Sequence, residues 1–357
     1  AVPLNTRSER LLKAIRRAGE FEVVICAWNR TGAACPEESD PAYRLFTTAT
    51  GDKRLLRKAL ALPGFVSFVR QTVREERPDI IVASFWDAAL AAALARRQHR
   101  ATLVYDVLDM PGGGRPLYTI GRILERLALA GCSATVLASR FYEPFYASPA
   151  REHLVLENLP DLGPTPTLAA AATHPPRLAY VGSVRFPETL VPLVDECIGR
   201  RAPLEIFGGG PDLQALEARA RGHANIRFHG AYSYAELPRI YAAIDLVWAA
   251  YPAEDLNVRY AISNKYFESL WFGIPAVFSA GTALGTMVAH EGTGFAVDAT
   301  SRRAVGEFLD RLNSDASVLA EARRRLLEKR ARLERELSWD SQAPRFTELL
   351  RRLARRG

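Results

Sequence analysis

The stretch SNKYFESLWFGIPAV, Ser263 to Val277, carries its own punctuation. The Ser263 hydroxyl can accept a bond from the first free N–H groups of a helix. Gly273 is the residue type that tolerates the left-handed turn after one, and Pro275 cannot continue it. The stretch therefore predicts one helix of about ten residues, and the apolar run IPAVFSA that follows predicts a strand. On the other side LVWAAY, from Leu246, reads as a strand as well. Strand, short helix, strand is the repeating unit of a parallel sheet.

The same alternation extends outward. RLAYVGS, PLEIFGGG and IRFHGAY read as three further strands, with helices around PDLQALEARARG and YAELPRIYAAI. Nearer the start, FEVVICAW, DIIVAS, ATLVYDV and ATVLAS alternate with the helix-like segments TRSERLLKAIRRAGE, KRLLRKALALPGFVSFVRQTVREER, DAALAAALARRQ and RILERLALA. Between the two runs lies NLPDLGPTPTLAAAATHPP, Asn158 to Pro176, with five prolines and no charged residue other than Asp161, which is a linker composition. The expected organisation is a doubly wound domain over 1–158, a linker over 159–176, a second such domain over 177–340, and a basic helix over 341–357 returning to the first. A length of 357 residues suits two domains of roughly 150 each. Ligands of open α/β sheets bind at the carboxyl ends of the strands, so the expected site is a cleft where the two sheets face each other. No repeat of fixed short period is present, which sets aside a solenoid.

Composition narrows the function classes. Lys plus Arg number 47 and Asp plus Glu 40, for a net charge of +7, so an anionic partner is expected: nucleotide, phosphate, membrane surface or nucleic acid. Cys26, Cys35, Cys132 and Cys197 form no C-x-x-C pair, which excludes a zinc knuckle or a disulfide scaffold and points to the cytoplasm. No apolar run reaches 18 residues and AVPLNTRSER lacks a signal-peptide core, so neither a membrane span nor an export signal is expected. The six histidines form no H-E-x-x-H, and the G-x-G-x-x-G and P-loop fingerprints are missing. A metal site, a dinucleotide oxidoreductase and a P-loop kinase are accordingly not expected. Asn29-Arg-Thr31 matches a glycosylation sequon, read as accidental in a cytoplasmic enzyme.

The loops carry the chemistry. The helix start at Ser263 and Asn264 offers unpaired N–H groups and a positive dipole end, with Lys265 in the first turn, an arrangement suited to a diphosphate. Glu268 lies three residues on, roughly on the same face, where a carboxylate can accept from both hydroxyls of a ribose. The ordinary alternative, and the commoner meaning of such spacing, is a surface Lys–Glu pair. Gly182 ends the strand RLAYVG with Arg185 close behind, and Gly208, Gly209 and Gly210 end another. Glycine admits close backbone approach to a ligand and arginine grips phosphate oxygens in pairs, although strand-end glycines are also common turn residues.

Taken in order, these pieces resemble the GT-B glycosyltransferases, specifically the family-4-like bacterial enzymes of cell-surface polysaccharide assembly. The resemblance rests on TRSERLLKAIRRAG, DIIVASFWDAALAAALA, ATLVYDVLDM, ILERLALAG and LENLPD in the first half. In the second it rests on RLAYVGS, EIFGGGP, NIRFHGAYSYAELPRIYAAIDL, SNKYFESLWFGIPAV, GTGFAV and the late Trp339. It implies two Rossmann-like domains facing across a cleft, an acceptor-binding one first and a nucleotide-sugar-binding one second. The implied activity is a hexosyltransferase that uses a nucleotide-sugar as co-substrate, with no metal and no other cofactor. Glu268 would hold the donor ribose, and Lys265 and Arg185 would face the diphosphate. Gly182, Gly208, Gly209, Gly210, Ser263 and Asn264 would line the nucleotide, with its base near IRFHGAY. Asp109, after the strand ATLVYDV, is matched to the catalytic or acceptor-orienting carboxylate, with Asp106 as its structural competitor.

The sequence also departs from the family pattern. The glutamate that retaining members carry eight positions before the one matched by Glu268 is Tyr260 here. Glu254, Asp255, Asn257 and Arg259 stand nearby, so retention and inversion both remain open. Phe85, Trp86 and Asp87 stand where a histidine often follows DIIVAS. The chain starts with Ala, and the expectation is that a first strand and its Gly-rich acceptor loop are missing ahead of the NTR segment.

Lys53 to Arg77 interleaves Arg54, Arg57, Lys58, Arg70 and Arg74 with Leu60, Phe65, Val66 and Phe68. Such a pattern fits a helix on an anionic membrane or an ordinary core helix with a basic outer face. The acceptors implied by the resemblance are often lipid-linked glycans, which favours the first: Arg54, Arg57, Lys58, Phe65 and Phe68 binding the inner face of the plasma membrane. Two other functions fit less well. One is a GT-B nucleotide-sugar epimerase and the other a basic nucleic-acid-binding protein, the latter opposed by the missing recognition motifs.

Overall fold

The computed structural model describes residues 2–49, 55–96, 99–112, 115–159, 173–333, 336 and 338–356. The chain divides into two compact units, Ala1–Asn158 with Trp339–Gly357, and Leu159–Ser338. Most of the expected linker, residues 160–172, lies outside the described residues. Among the described residues no helix is long and apolar enough to cross a membrane.

The first unit runs α1 (Thr6–Ala18), β1 (Ile25–Asn29), β2 (Tyr43–Thr47), α2 (Leu55–Glu76), β3 (Ile80–Ser84), α3 (Trp86–Ala95), β4 (Thr102–Val107), α4 (Arg115–Ala130), β5 (Ala134–Leu137), α5 (Glu143–Tyr146) and β6 (Glu152–Val155). All its strand pairs are parallel: β1 with β2, and a four-stranded sheet ordered β3-β4-β5-β6. Parallel strands covered on both faces lose the polar alternation, and from Leu103 to Val107 every residue of β4 is buried, as is every residue of β5. A late helix, α14 (Trp339–Ala354), covers one side of the four-stranded sheet. There Phe346, Leu349 and Leu353 pack with Leu11 of α1 against Val104, Val136 and Leu156.

Arg7 of α1 sits 1% exposed in this interior. It donates through Nε to Asp106 Oδ1 at 2.8 Å and through Nη1 to the Leu156 carbonyl at 2.7 Å. Asp106 is itself fully buried and its other oxygen accepts from Ser84 Oγ at 3.0 Å. A buried carboxylate persists only when paired and hydrogen-bonded, and every partner of Asp106 is structural.

α2 is a single helix that continues through Pro63. Its aromatic residues point inward: Phe65 is 5% exposed and stacks on Trp28 at 5.0 Å, and Phe68 lies 5.8 Å from Phe46. Phe65 belongs to a core cluster with Val69, Val73, Ala91 and Ala95, and Phe68 packs half-buried against that cluster. This corrects the expectation that Phe65 and Phe68 face lipid. Around Phe65 and Phe68 the stripe is covered by β1, β2 and α3, so the Phe65 ring is not available to a membrane, while Leu60 near the start of α2 is 73% exposed. Arg57 is exposed, while Arg54 and the Lys58 side chain lie outside the described residues.

The second unit runs β7 (Leu178–Val181), α6 (Pro187–Arg200), β8 (Leu204–Phe207), α7 (Leu213–Arg219), β9 (Ile226–Gly230), α8 (Leu237–Ala242), β10 (Leu246–Trp248), α9 (Leu256–Tyr260), α10 (Asn264–Phe272), β11 (Ala276–Ser279), α11 (Ala283–Glu291), β12 (Phe295–Val297), α12 (Arg302–Ser314) and α13 (Ala316–Leu333). The chain then returns to the first unit with α14 (Trp339–Ala354). Six parallel strands are ordered β12-β11-β10-β7-β8-β9. The order reverses between β7 and β10, so the loops leaving their carboxyl ends diverge and open a crevice there. At the opposite, amino ends of those two strands Asp245 ties Arg177 and Thr173 together, accepting from Arg177 Nε at 2.9 Å and Thr173 Oγ1 at 2.7 Å.

Candidate active site

α10 enters that crevice. Ser263 caps it, its Oγ accepting from the Lys265 N–H at 3.3 Å, and Gly273 ends it at φ 67° with its N–H on the Ser269 carbonyl. Every side chain from Lys265 to Phe272 is buried, so the Lys265–Glu268 pair is no surface pair. Lys265 Nζ lies 2.5 Å from Glu268 Oε2, and the Tyr241 hydroxyl donates to the same oxygen at 2.7 Å. Glu268 Oε1 is buried with no hydrogen-bond partner among the described residues. A buried carboxylate oxygen left unpaired costs about 1–3 kcal/mol or more, and native proteins seldom leave one without a reason.

The loops after three other strands converge on the same place. Gly182, after β7, lies beside Lys265: a Cβ there would stand 3.9 Å from Lys265 Cε. The Tyr180 hydroxyl holds the loop by donating to the Ser183 carbonyl at 2.6 Å. The glycines after β8 interlock with it, because Gly182 N–H donates to the Phe207 carbonyl at 2.9 Å and Val184 N–H to the Gly209 carbonyl at 2.8 Å. Gly208 and Gly210 are glycine for that crossing. A Cβ on them would fall 1.7 Å from the Gly182 oxygen and 2.2 Å from the Val184 oxygen. Gly209 alone of the three has space around it. After β10, Tyr251 hydrogen-bonds Ser263 and so joins its loop to the head of α10.

Arg185 is exposed, with its guanidinium 4.7 Å from the Phe186 ring centroid, and no carboxylate among the described residues lies within ion-pair distance. Phe186 in turn packs on Tyr251 at 5.7 Å. Burial pushes the Tyr241, Tyr251 and Tyr232 hydroxyls above the ordinary phenol range, and the negative charge of Glu268 adds to this, so all three stay protonated at neutral pH. Sequence reasoning missed these tyrosines. The available signal was position: Tyr251 follows LVWAA and Tyr232 follows IRFHGA, each just past a strand's carboxyl end.

The structure thus brings Gly182, Arg185, Gly208, Gly209, Gly210, Ser263, Asn264, Lys265 and Glu268 to one edge of one sheet. Asp109 lies in the first unit, two residues beyond the end of β4 and half-buried, while Asp106 stays within the strand. Phe85, whose N–H donates to the Asp106 carbonyl at 3.3 Å, is held at φ 69°, ψ 154°, a conformation costly for any residue but glycine and concentrated at functional sites. Among the described residues no group of three or more His, Cys, Asp or Glu side chains is placed to hold a metal ion.

Two family models match the chain, a glycosyl transferase 4-like domain over residues 4–147 and the glycosyl transferases group 1 over residues 175–315. The chain belongs to the family-4-like glycosyltransferases. Solved structures add the fold. The glycosyltransferase superposes on the sucrose-phosphate synthase of Thermosynechococcus elongatus with a TM-score of 0.75 at 16% identity, covering 98% of this chain and 93% of that one. HepE of Anabaena, solved with UDP, gives a TM-score of 0.65 at 17% identity over 86% and 85% of the two chains. A glycosyltransferase of Rickettsia africae gives 0.66 at 12% identity over 97% and 93%. At such identities the likeness is one of architecture, and the architecture is GT-B. No curated protein matches the sequence.

Proposed function

We propose that the enzyme moves a hexosyl group from a nucleotide-sugar to a lipid-linked glycan acceptor, as a peripheral protein at the inner face of the plasma membrane. The observation that carries the donor half of this reading is Glu268, whose Oε2 is occupied by Lys265 and Tyr241 and whose Oε1 is buried and unpartnered. A ribose diol satisfies that oxygen. HepE, of the same fold, is solved with UDP-glucose, which supports a nucleotide-sugar as the donor class.

The chemistry follows from what must be stabilised. The bond between the sugar's anomeric carbon and the diphosphate oxygen breaks, and its electron pair leaves with the diphosphate. The acceptor hydroxyl oxygen then bonds to that carbon, and its proton passes to Asp109 or to the departing diphosphate. Charge gathers on the departing diphosphate, where the positive dipole end of α10, the Lys265 ammonium and the exposed Arg185 guanidinium are suited to meet it. Lys265 has three N–H donors and spends one on Glu268, which leaves donors for phosphate oxygens. Asp109 is the proposed acceptor-orienting carboxylate.

A thermal-shift panel of nucleoside diphosphates tests the donor site. Ligand that binds only the folded state stabilises it by about 2.7 kcal/mol at a hundredfold excess over Kd. The expected result is a raised melting temperature with one nucleotide and no shift in Glu268→Ala. If no nucleotide stabilises the protein, or the variant responds like wild type, the donor assignment fails.

A further inference from the structure

Glycosyl transfer leaves one surface of the first unit unexplained. At about 100° per residue along α4, Ile120, Ile123 and Leu127 fall within an arc of roughly 60°. They are 55%, 54% and 60% exposed, and they make up three of the seven large exposed apolar side chains among the described residues. The helix buries its other side, Glu125 and Ala128 being fully buried and Gly121 and Leu129 nearly so. The stripe is therefore the outer face, and no element among the described residues covers it.

Beside the stripe lies an arginine-lined hollow. Arg122, Arg126 and Arg151 line a recess of about 390 Å³ together with Pro144 and Phe145. Two of the three guanidiniums are held in place. Arg122 lies 5.1 Å from the Tyr146 ring centroid, donates to the Tyr146 hydroxyl at 2.8 Å and pairs with Glu125. Glu125 is further occupied by the Tyr105 and Tyr146 hydroxyls, each donating at 2.7 Å. Arg151 donates from Nη1 to the Leu129 carbonyl at 2.7 Å, while its Nε is buried without a partner among the described residues. Three guanidiniums against one carboxylate leave two positive charges in excess, next to an apolar stripe.

We propose that α4 docks the first unit on an anionic bilayer, with Ile120, Ile123 and Leu127 entering the interface and Arg122, Arg126 and Arg151 receiving a lipid phosphate. Charge complementarity selects this occupant. An apolar stripe alone would serve a protein partner equally well, but guanidiniums preset in a recess match phosphate oxygens. A second copy docked about a two-fold axis would bring these arginines against themselves. Basic residues flanking a short apolar face form the arrangement that lies in a bilayer interface. The inference rests on the peripheral-membrane part of the proposed function, and it moves the contact from α2, whose rings are interior, to α4.

Flotation of the full-length protein with phosphatidylcholine vesicles, with and without phosphatidylglycerol, tests it. The variants are Ile123→Glu/Leu127→Glu and Arg126→Glu on α4, with Arg57→Glu/Leu60→Glu on α2 for comparison. All five substituted positions are exposed, and thermal melting confirms that each variant folds. Wild type should float with phosphatidylglycerol vesicles and far less with phosphatidylcholine alone. Each α4 variant should lose binding roughly tenfold or more, as expected when charge and apolar area leave an interface, and the α2 variant should bind as wild type does. If wild type binds neither vesicle, the membrane reading falls and this inference with it. If wild type binds and the α4 variants bind equally well, the membrane reading stands and α4 is the wrong surface. A wild-type dimer that becomes monomeric in Ile123→Glu/Leu127→Glu, with vesicle binding unchanged, assigns the stripe to a second copy and also overturns the inference.

Discussion

Replacing Gly208 by alanine separates two meanings of the glycines after β8. If they served only to admit a ligand, a methyl group would weaken binding and leave the fold alone. The geometry demands more. The added Cβ would sit 1.7 Å from the Gly182 oxygen and 2.8 Å from its carbonyl carbon, both backbone atoms, against a resting carbon contact of about 3.5 Å. Relief requires the loops after β7 and β8 to part. That breaks the bonds from Gly182 to Phe207 and from Val184 to Gly209, at about 1 kcal/mol each. Gly208 also stands at φ 141°, where a side chain costs roughly another 1–3 kcal/mol. The expected loss is about 3–5 kcal/mol, a fall in melting temperature of roughly 6–20 °C for a unit of this size. Gly209→Ala meets only Ala231 Cβ at 3.9 Å and should stay within about 0.5 kcal/mol of wild type. Urea melts of the two variants provide the assay. A Gly208→Ala protein that melts with wild type, or a Gly209→Ala protein that falls as far, would show the loop crossing to be wrongly described.

Three further outcomes follow from buried contacts. Arg7→Met strands a fully buried Asp106 and should cost about 3–5 kcal/mol by chemical denaturation, whereas Arg7→Met with Asp106→Leu should recover most of it; equal losses in the single and double variants would contradict this. Burial alone would raise the Asp245 pKa, but the Arg177 side chain and N–H and the Thr173 hydroxyl outweigh it and hold the carboxyl below its usual range. A depressed folded pKa contributes stability that is complete above the unfolded value of about 3.9 and is lost as pH falls through the folded one. Melting temperatures of wild type and Asp245→Asn should therefore differ most at neutral pH and converge in acid, and a gap that stays constant down to pH 3 speaks against the pairing. Phe65→Ala opens a cavity under Trp28 and should cost about 3–5 kcal/mol without changing vesicle binding; a stable variant with weakened vesicle binding would return that ring to the membrane.

What the sequence disclosed depended on how local each determinant was. α10 was legible because Ser263, Gly273 and Pro275 mark its ends independently of the rest of the fold. The strands β4 and β7 were legible because cover on both faces makes them continuous apolar runs. β2, YRLFT, and β6, EHLV, escaped notice: neither contains a fully buried residue, so neither carries a clear pattern. The stripe of α2 was visible, but a stripe does not say what covers it, and Trp28 and Phe46 arrive from strands some twenty residues and more away. The same limit hid the uncovered side of α4, whose segment RILERLALA reads simply as an amphipathic helix. At the site, Lys265 and Glu268 could be named from spacing and from the family resemblance. Their burial, and the occupation of only one Glu268 oxygen, depend on Tyr241 and on Gly182, which reach them through the sheet rather than along the chain.

The central claim is that Glu268 Oε1 waits for the hydroxyls of a nucleoside diphosphate. Isothermal titration with the stabilising ribonucleoside diphosphate and its 2′,3′-dideoxy counterpart, on wild type and on Glu268→Gln, tests it most directly. A hydrogen bond to a charged acceptor contributes about 1.5–3 kcal/mol, so wild type should prefer the ribonucleotide by roughly tenfold to a hundredfold, and the variant should show little preference. Equal affinity of wild type for both nucleotides, or an undiminished preference in Glu268→Gln, would contradict the account.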